Sequence, residues 1–120
     1  MSFYSDLLVL PEALDAIKAI GTERMPSEAC GVLLPNGEVI EMTNHSEQPE
    51  DSYILEVNEL HDKIEPWLAE LPDHVDKLNL IVWHTHPRGG IGPSKGDLDE
   101  RIAGVRYLVV SLPNGEAVQY

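Results

Sequence analysis

The sequence predicts an α+β fold: a mixed, mainly antiparallel sheet flanked by helices in a layered sandwich. Three observations point to it. Strand-like and helix-like segments are interspersed without the strict β-α alternation of a doubly wound fold. Two Asn-Gly pairs, at Asn36-Gly37 and Asn114-Gly115, each lie between β-rich runs, as hairpin turns do. The run LNLIVWHTH, residues 78–86, is apolar, β-branched and aromatic, the strongest strand signal in the chain. At 120 residues the chain suits a single domain, 1–120, because domains usually run to roughly 100–200 residues. It is long enough to bury a core unaided, since metals or disulfides become necessary below roughly 40 residues.

Pro11 followed by EALDAIKAIG reads as a first helix. Proline takes its favoured early position, apolar residues recur at Leu14, Ile17 and Ile20, and Gly21 is placed to stop it. ACGVLL is a short apolar strand, Pro35-Asn36-Gly37 a turn, and EVIEM the returning strand. Residues 43–52 are polar and acidic, a loop. SYILEV is expected to form a third strand and NELHDKIEPWLAEL a helix that Pro66 kinks or breaks. After LNLIVWHTH comes the glycine- and proline-rich loop PRGGIGP. SKGDLDERIAGV then reads as a helix, and RYLVVSL with EAVQY as a closing hairpin.

Composition excludes several classes of function. Eight basic against 21 acidic side chains give a formal charge of −13, which repels phosphate backbones and argues against nucleic-acid binding. The excess favours solubility and basic partners, and reads first as a solvated acidic surface. Cys30 is the single cysteine, so no intrachain disulfide can form, in keeping with a reducing compartment. The first residues carry no positive n-region or unbroken apolar run. No stretch approaches the roughly 18 apolar residues of a membrane span. A soluble, cytoplasmic protein is expected; the sequence carries no sign of oligomeric state.

The residues that carry chemistry begin at His84-Thr85-His86. Side chains two apart on a strand point the same way, so both imidazoles project together from its end. Alone, a His-x-His pair is a common incidental pattern. Eight residues after His86 comes Ser94, and three further on Asp97. The intervening glycines let the chain turn back, and a helix starting at Ser94 would present Asp97 from its first turn. Two histidines, one carboxylate and an open fourth position make a catalytic zinc site, while closed four-ligand shells are structural. The same set also suits iron. Ser94-x-x-Asp97 reads equally as a helix N-cap with an acidic first turn, but that leaves the paired histidines unexplained.

Zinc hydrolysis also needs a base to take the proton of the attacking water. Glu28 is a candidate, an acid at the mouth of the apolar ACGVLL run, although with 21 acids present composition alone does not single it out. Cys30 as a nucleophile is the competing idea; it lacks a local partner and reads better as a small buried hydrophobe. His45, His61 and His74 match no ligand spacing and suit surface or capping roles. Trp83 falls on the strand face opposite the two histidines, a core position.

Glu28-Ala29-Cys30-Gly31 together with His84-Thr85-His86-Pro87 and Ser94-Lys95-Gly96-Asp97 resembles the JAMM family, also called MPN+ or JAB/Mov34 metallopeptidases. The similarity runs in order along nearly the whole chain. The resemblance implies a JAB/MPN-like fold with cytidine-deaminase-like layering, His84, His86 and Asp97 as Zn2+ ligands, Glu28 as general base, and Ser94 as a stabiliser of the oxyanion. It further implies hydrolysis of a peptide or isopeptide bond in a protein or peptide substrate, often the C-terminus of a ubiquitin-like protein. The compact chain looks more like prokaryotic and phage members than the eukaryotic deubiquitinases. The stretch NHSEQPEDSYIL resembles the JAB module of phage tail-assembly proteins, so a tail-assembly or scaffold role is the alternative.

Overall fold

A computed structural model describes residues 9–70 and 80–120. Among these residues three helices and five strands follow one another: α1 (Pro11–Arg24), β1 (Cys30–Leu33), β2 (Val39–Met42), α2 (Val57–Glu70), β3 (Ile81–His86), α3 (Lys95–Glu100), β4 (Arg106–Ser111) and β5 (Ala117–Gln119). The strands form one sheet in the order β2-β1-β3-β4-β5. Every pairing is antiparallel except β3 with β4, so the sheet is mixed and mainly antiparallel, as the sequence predicts.

Alternation along the strands sends two apolar sets to opposite faces. On one face Ala29, Leu33, Ile81, Trp83, Leu108 and Val110 meet Ala13 and Ile17 of α1. On the other, Val32 and Leu34 meet Ile64 of α2, with Leu60, Trp67 and Val82 packed around them. Trp83 is fully buried on the α1 side, away from His84 and His86.

Glycine serves close approach at two places. Gly31 pairs with Trp83 across β1 and β3; a Cβ there would lie 2.6 Å from Trp83 Cζ2 and 2.0 Å from the Ile40 carbonyl. Gly21, expected to end α1, instead lies inside it and is buried, because α1 runs on to Arg24. A Cβ at Gly21 would meet Thr85 Cγ2 at 2.7 Å and Leu112 Cδ1 at 2.9 Å, so this glycine lets the helix settle onto β3.

Both Asn-Gly turns form as expected. Gly37 and Gly115 take the positive φ that their turns require. Three other expectations are corrected. SYILEV is not a strand: residues 52–56 are irregular, and their backbone groups are taken up locally. Asn44 donates to the Ser52 carbonyl (2.9 Å) and accepts from Ile54 N–H (3.2 Å), while His45 N–H donates to the Ile54 carbonyl. These are bonds a sheet ladder would otherwise need. Of the kink or break expected at Pro66, the break does not occur, since α2 runs through it; Pro66 and Asp62, whose carbonyl it leaves without a helix partner, are both on the exposed side. α3 stops at Glu100 rather than running to Val105. It buries no residue and carries acids in its last turn, where the helix dipole disfavours them. Beyond it, Ile102 N–H donates to the Tyr107 hydroxyl (2.9 Å).

Candidate metal centre

His84 and His86 leave the end of β3 on the same face, as the alternation requires. The chain then turns through the glycine loop, with Gly89 and Gly92 at positive φ, and returns as α3. Ser94 caps that helix: its hydroxyl accepts from Asp97 N–H (3.1 Å), and the Asp97 carboxylate accepts from Ser94 N–H (2.9 Å). The cap and the proposed ligand are therefore the same carboxylate. Asp97 Oδ2 lies 3.2 Å from His84 Nε2 and 3.1 Å from His86 Nε2, and the two Nε2 atoms are 3.2 Å apart.

These three atoms outline one face of a tetrahedron. Zinc bonds of roughly 2.0–2.1 Å in tetrahedral geometry set ligand atoms about 3.3–3.4 Å apart. The proton inventory agrees. His86 Nδ1 faces the Gly90 carbonyl at 3.0 Å; a carbonyl can only accept, so Nδ1 carries hydrogen. In neutral His86 the Nε2 lone pair then points at an Asp97 carboxylate oxygen, one acceptor against another. A cation resolves that contact, and three mutually adjacent acceptors suit a metal ion better than one proton. The residues present therefore fit a zinc ion. The buried Ser111 hydroxyl donates to the same Gly90 carbonyl, so β4 fixes the group that orients His86.

Charge is arranged to match. Burial alone would push the Asp97 carboxyl up, but contact with His84 and His86 holds it well below the ordinary carboxylate range. Burial lowers His84, favouring the neutral ring a metal needs, while the Asp97 contact raises His86. Among the described residues, His84, His86 and Asp97 form a cluster with metal-ligand geometry.

Glu28 stands just before β1, which pairs with β3 so that Cys30 opposes His84. It is 6% exposed, and its Oε1 has no hydrogen-bond partner among the described residues. Glu28, His86 and Ser94 line a common cleft of about 330 Å³, walled by the glycine loop and by Glu50, Asp51 and Arg88. Burial pushes the Glu28 carboxyl up to about 7, with His86 opposing and Asp97 adding to the rise. Cys30 is fully buried, and burial pushes its thiol up to about 12, which rules out a ready thiolate. His45 and His61 sit beside Glu59 and Glu65, away from the cluster; His74 lies outside the described residues.

The match with known families decides the relationship: the prokaryotic homologues of the JAB domain match residues 10–119. The chain belongs to this JAB family. Two solved structures share the fold. The solution structure of protein DSY2949 from Desulfitobacterium hafniense is 20% identical, with a TM-score of 0.69 over 92% of this chain and 79% of that one. The solution structure of a protein from Salinibacter ruber is 22% identical, with a TM-score of 0.54 over 94% of this chain and 80% of that one. No curated protein matches this JAB domain. None of its described helices is long and apolar enough to cross a membrane.

Sequence reasoning missed three parts of this JAB site. Asn44 holds its loop against Glu28 by donating to the Glu28 carbonyl at 3.0 Å. Gly90 and Ser111 orient His86. Tyr53 stacks on the His84 ring, centroids 4.4 Å apart and planes at 21°. None has a spacing signal; Gly90 lies four residues past His86, while Asn44, Tyr53 and Ser111 act across longer separations in the chain.

Proposed function

We propose that this JAB domain is a zinc-dependent peptidase that hydrolyses a peptide or isopeptide bond. Its substrate is then a protein or peptide, with the C-terminal tail of a ubiquitin-like protein the first class to test. The observation that carries the reading is the convergence of His84, His86 and Asp97 within 3.2 Å of one another beside the cleft that Glu28 lines.

Zinc, when bound there, supplies Lewis acidity: it polarises a carbonyl and brings the pKa of water to about 7. Glu28 Oε1, buried and free of protein partners among the described residues, accepts the proton of the attacking water and passes it to the leaving amine. A carboxyl raised to about 7 is matched to that exchange near neutral pH. Ser94 Oγ accepts from Asp97 N–H and keeps its own O–H free to donate to the oxygen that gains charge. Asn44 and the β1–β3 pairing hold Glu28 in place.

The test compares metal content and peptidase activity, on ubiquitin-like C-terminal fusions and a peptide library, of wild type, His86→Ala and Glu28→Gln. The expected result is about one zinc in wild type and Glu28→Gln, little in His86→Ala, and activity in wild type alone, with Glu28→Gln down by roughly two to four orders of magnitude. Metal-replete wild type without zinc would overturn the reading. Zinc bound without turnover on any substrate would leave the tail-assembly or scaffold role.

A further inference from the structure

Metal-binding histidines are usually oriented by a hydrogen bond at the ring nitrogen that does not face the metal. His86 has such a bond, from Nδ1 to the Gly90 carbonyl. His84 has none: its Nδ1 is buried and lacks a partner among the described residues. Yet His84 is fully buried and its Nε2 is held toward His86 and Asp97. What meets the ring is aromatic. Tyr53 lies on its face at 4.4 Å and 21°, and Tyr120 meets it edge-on at 6.5 Å and 90°. Tyr120 is itself backed by Tyr107, stacked at 5.2 Å.

We propose that Tyr53 is a positioning residue for the metal site, orienting His84 by ring stacking where His86 is oriented by a hydrogen bond. This rests on the zinc reading of the site. The path of the chain supports the role. Residues 52–56 are irregular instead of pairing as a strand, and Asn44 pins both sides of Tyr53 through the Ser52 carbonyl and Ile54 N–H. The loop thereby delivers one flat ring onto the sheet face at His84. A flat face restricts rotation of an imidazole about its χ2 torsion; an aliphatic side chain of similar bulk does not.

The test is zinc affinity, by competition with a chromogenic chelator, and the absorption spectrum of the cobalt-substituted protein. Both are read for wild type, Tyr53→Phe and Tyr53→Leu. Tyr53→Phe, which keeps the ring, is expected within about twofold of wild type and with its cobalt spectrum. Tyr53→Leu is expected to bind zinc about 10- to 100-fold more weakly, the usual cost of losing a supporting partner of a ligand, with an altered cobalt spectrum. Wild-type affinity and spectrum in Tyr53→Leu would overturn the proposal while leaving the zinc site standing. Equal weakening in Tyr53→Phe would overturn it too, by assigning the effect to the hydroxyl. Absence of zinc from wild type would remove the zinc reading and this proposal together. Should Tyr53→Leu not fold, Tyr53→Met, whose flexible chain fills the gap without a flat face, takes its place under the same criteria.

Discussion

Glu28 is where chemistry and stability pull in opposite directions. Its carboxyl has an ordinary value of 4.5 and is pushed by burial to about 7 in the fold. Between those values the native chain binds a proton that the unfolded chain has released. Metal-free protein therefore loses stability as pH rises through that window, and the loss is complete above about 7. At 1.36 kcal/mol per unit the penalty is on the order of 3 kcal/mol. Glu28→Gln is expected to raise the melting temperature of chelated protein above pH 7 and to lose that advantage near pH 4.5, read by thermal scans across pH. A gain independent of pH would contradict the buried carboxylate. In the proposed reaction activity runs the other way, because Glu28 must be ionised to act as the base. kcat/KM is expected to fall tenfold per pH unit on the acid side, with its limb at or below about 7, since a nearby cation favours the carboxylate. At this scale the sequence was informative in proportion to local spacing. His84, His86 and Asp97 are near neighbours along the chain, and strand alternation with a glycine turn brings them together. Glu28 is one of 21 acids, and only its burial against β3 marks it out. Tyr53 and Ser111 act across long separations that no local pattern encodes.

Among the elements, α1 shows how a local preference yields to packing. Alanine is a better helix former than glycine by about 1 kcal/mol, so Gly21→Ala should stabilise an isolated helix. In the fold its methyl would lie 2.7 Å from Thr85 Cγ2 and 2.9 Å from Leu112 Cδ1. Overpacking costs typically 1–3 kcal/mol, so the net expectation is destabilisation by about 1 kcal/mol, measured by urea denaturation. Thr85 sits between the two histidines and its hydroxyl accepts from Ala29 N–H, so weaker zinc binding should accompany the loss. The strands and hairpin turns were legible because apolar alternation and Asn-Gly turns are local signals. SYILEV was not, because its β-branched and aromatic side chains serve the sheet face at His84 and the apolar groove beside it, while Asn44 takes its backbone bonds. The end of α3 was misread for a related reason: its pattern of residues looks helical, but no buried face holds the last turns.

For the molecule as a whole, the two apolar clusters lie on opposite faces of the sheet, and none of His84, His86 and Asp97 belongs to either. The fold should therefore stand without metal. Chelation is expected to leave the far-UV circular dichroism unchanged and to lower the melting temperature only by the binding free energy, about 2.7 kcal/mol when zinc stands at a hundred times its Kd. Collapse of the helical signal on chelation would show a structural ion instead. The −13 charge was legible from composition alone, yet it describes the surface and says nothing of the site.

The pairing of Gly31 with Trp83 bears on that site from a distance. Sliding β1 along β3 by two residues would keep every side chain on its proper face, so the hydrophobic pattern alone does not forbid it. It would carry Glu28 about 7 Å along the strand direction, at roughly 3.4 Å per residue, and away from the cleft it lines with His86. Only glycine fits beneath the indole, and a slip would set Ala29 or Leu33 there instead. The tryptophan and the hole in front of it act as a key and its ward: they admit one alignment of the two strands, and that alignment sets the reach of the acid.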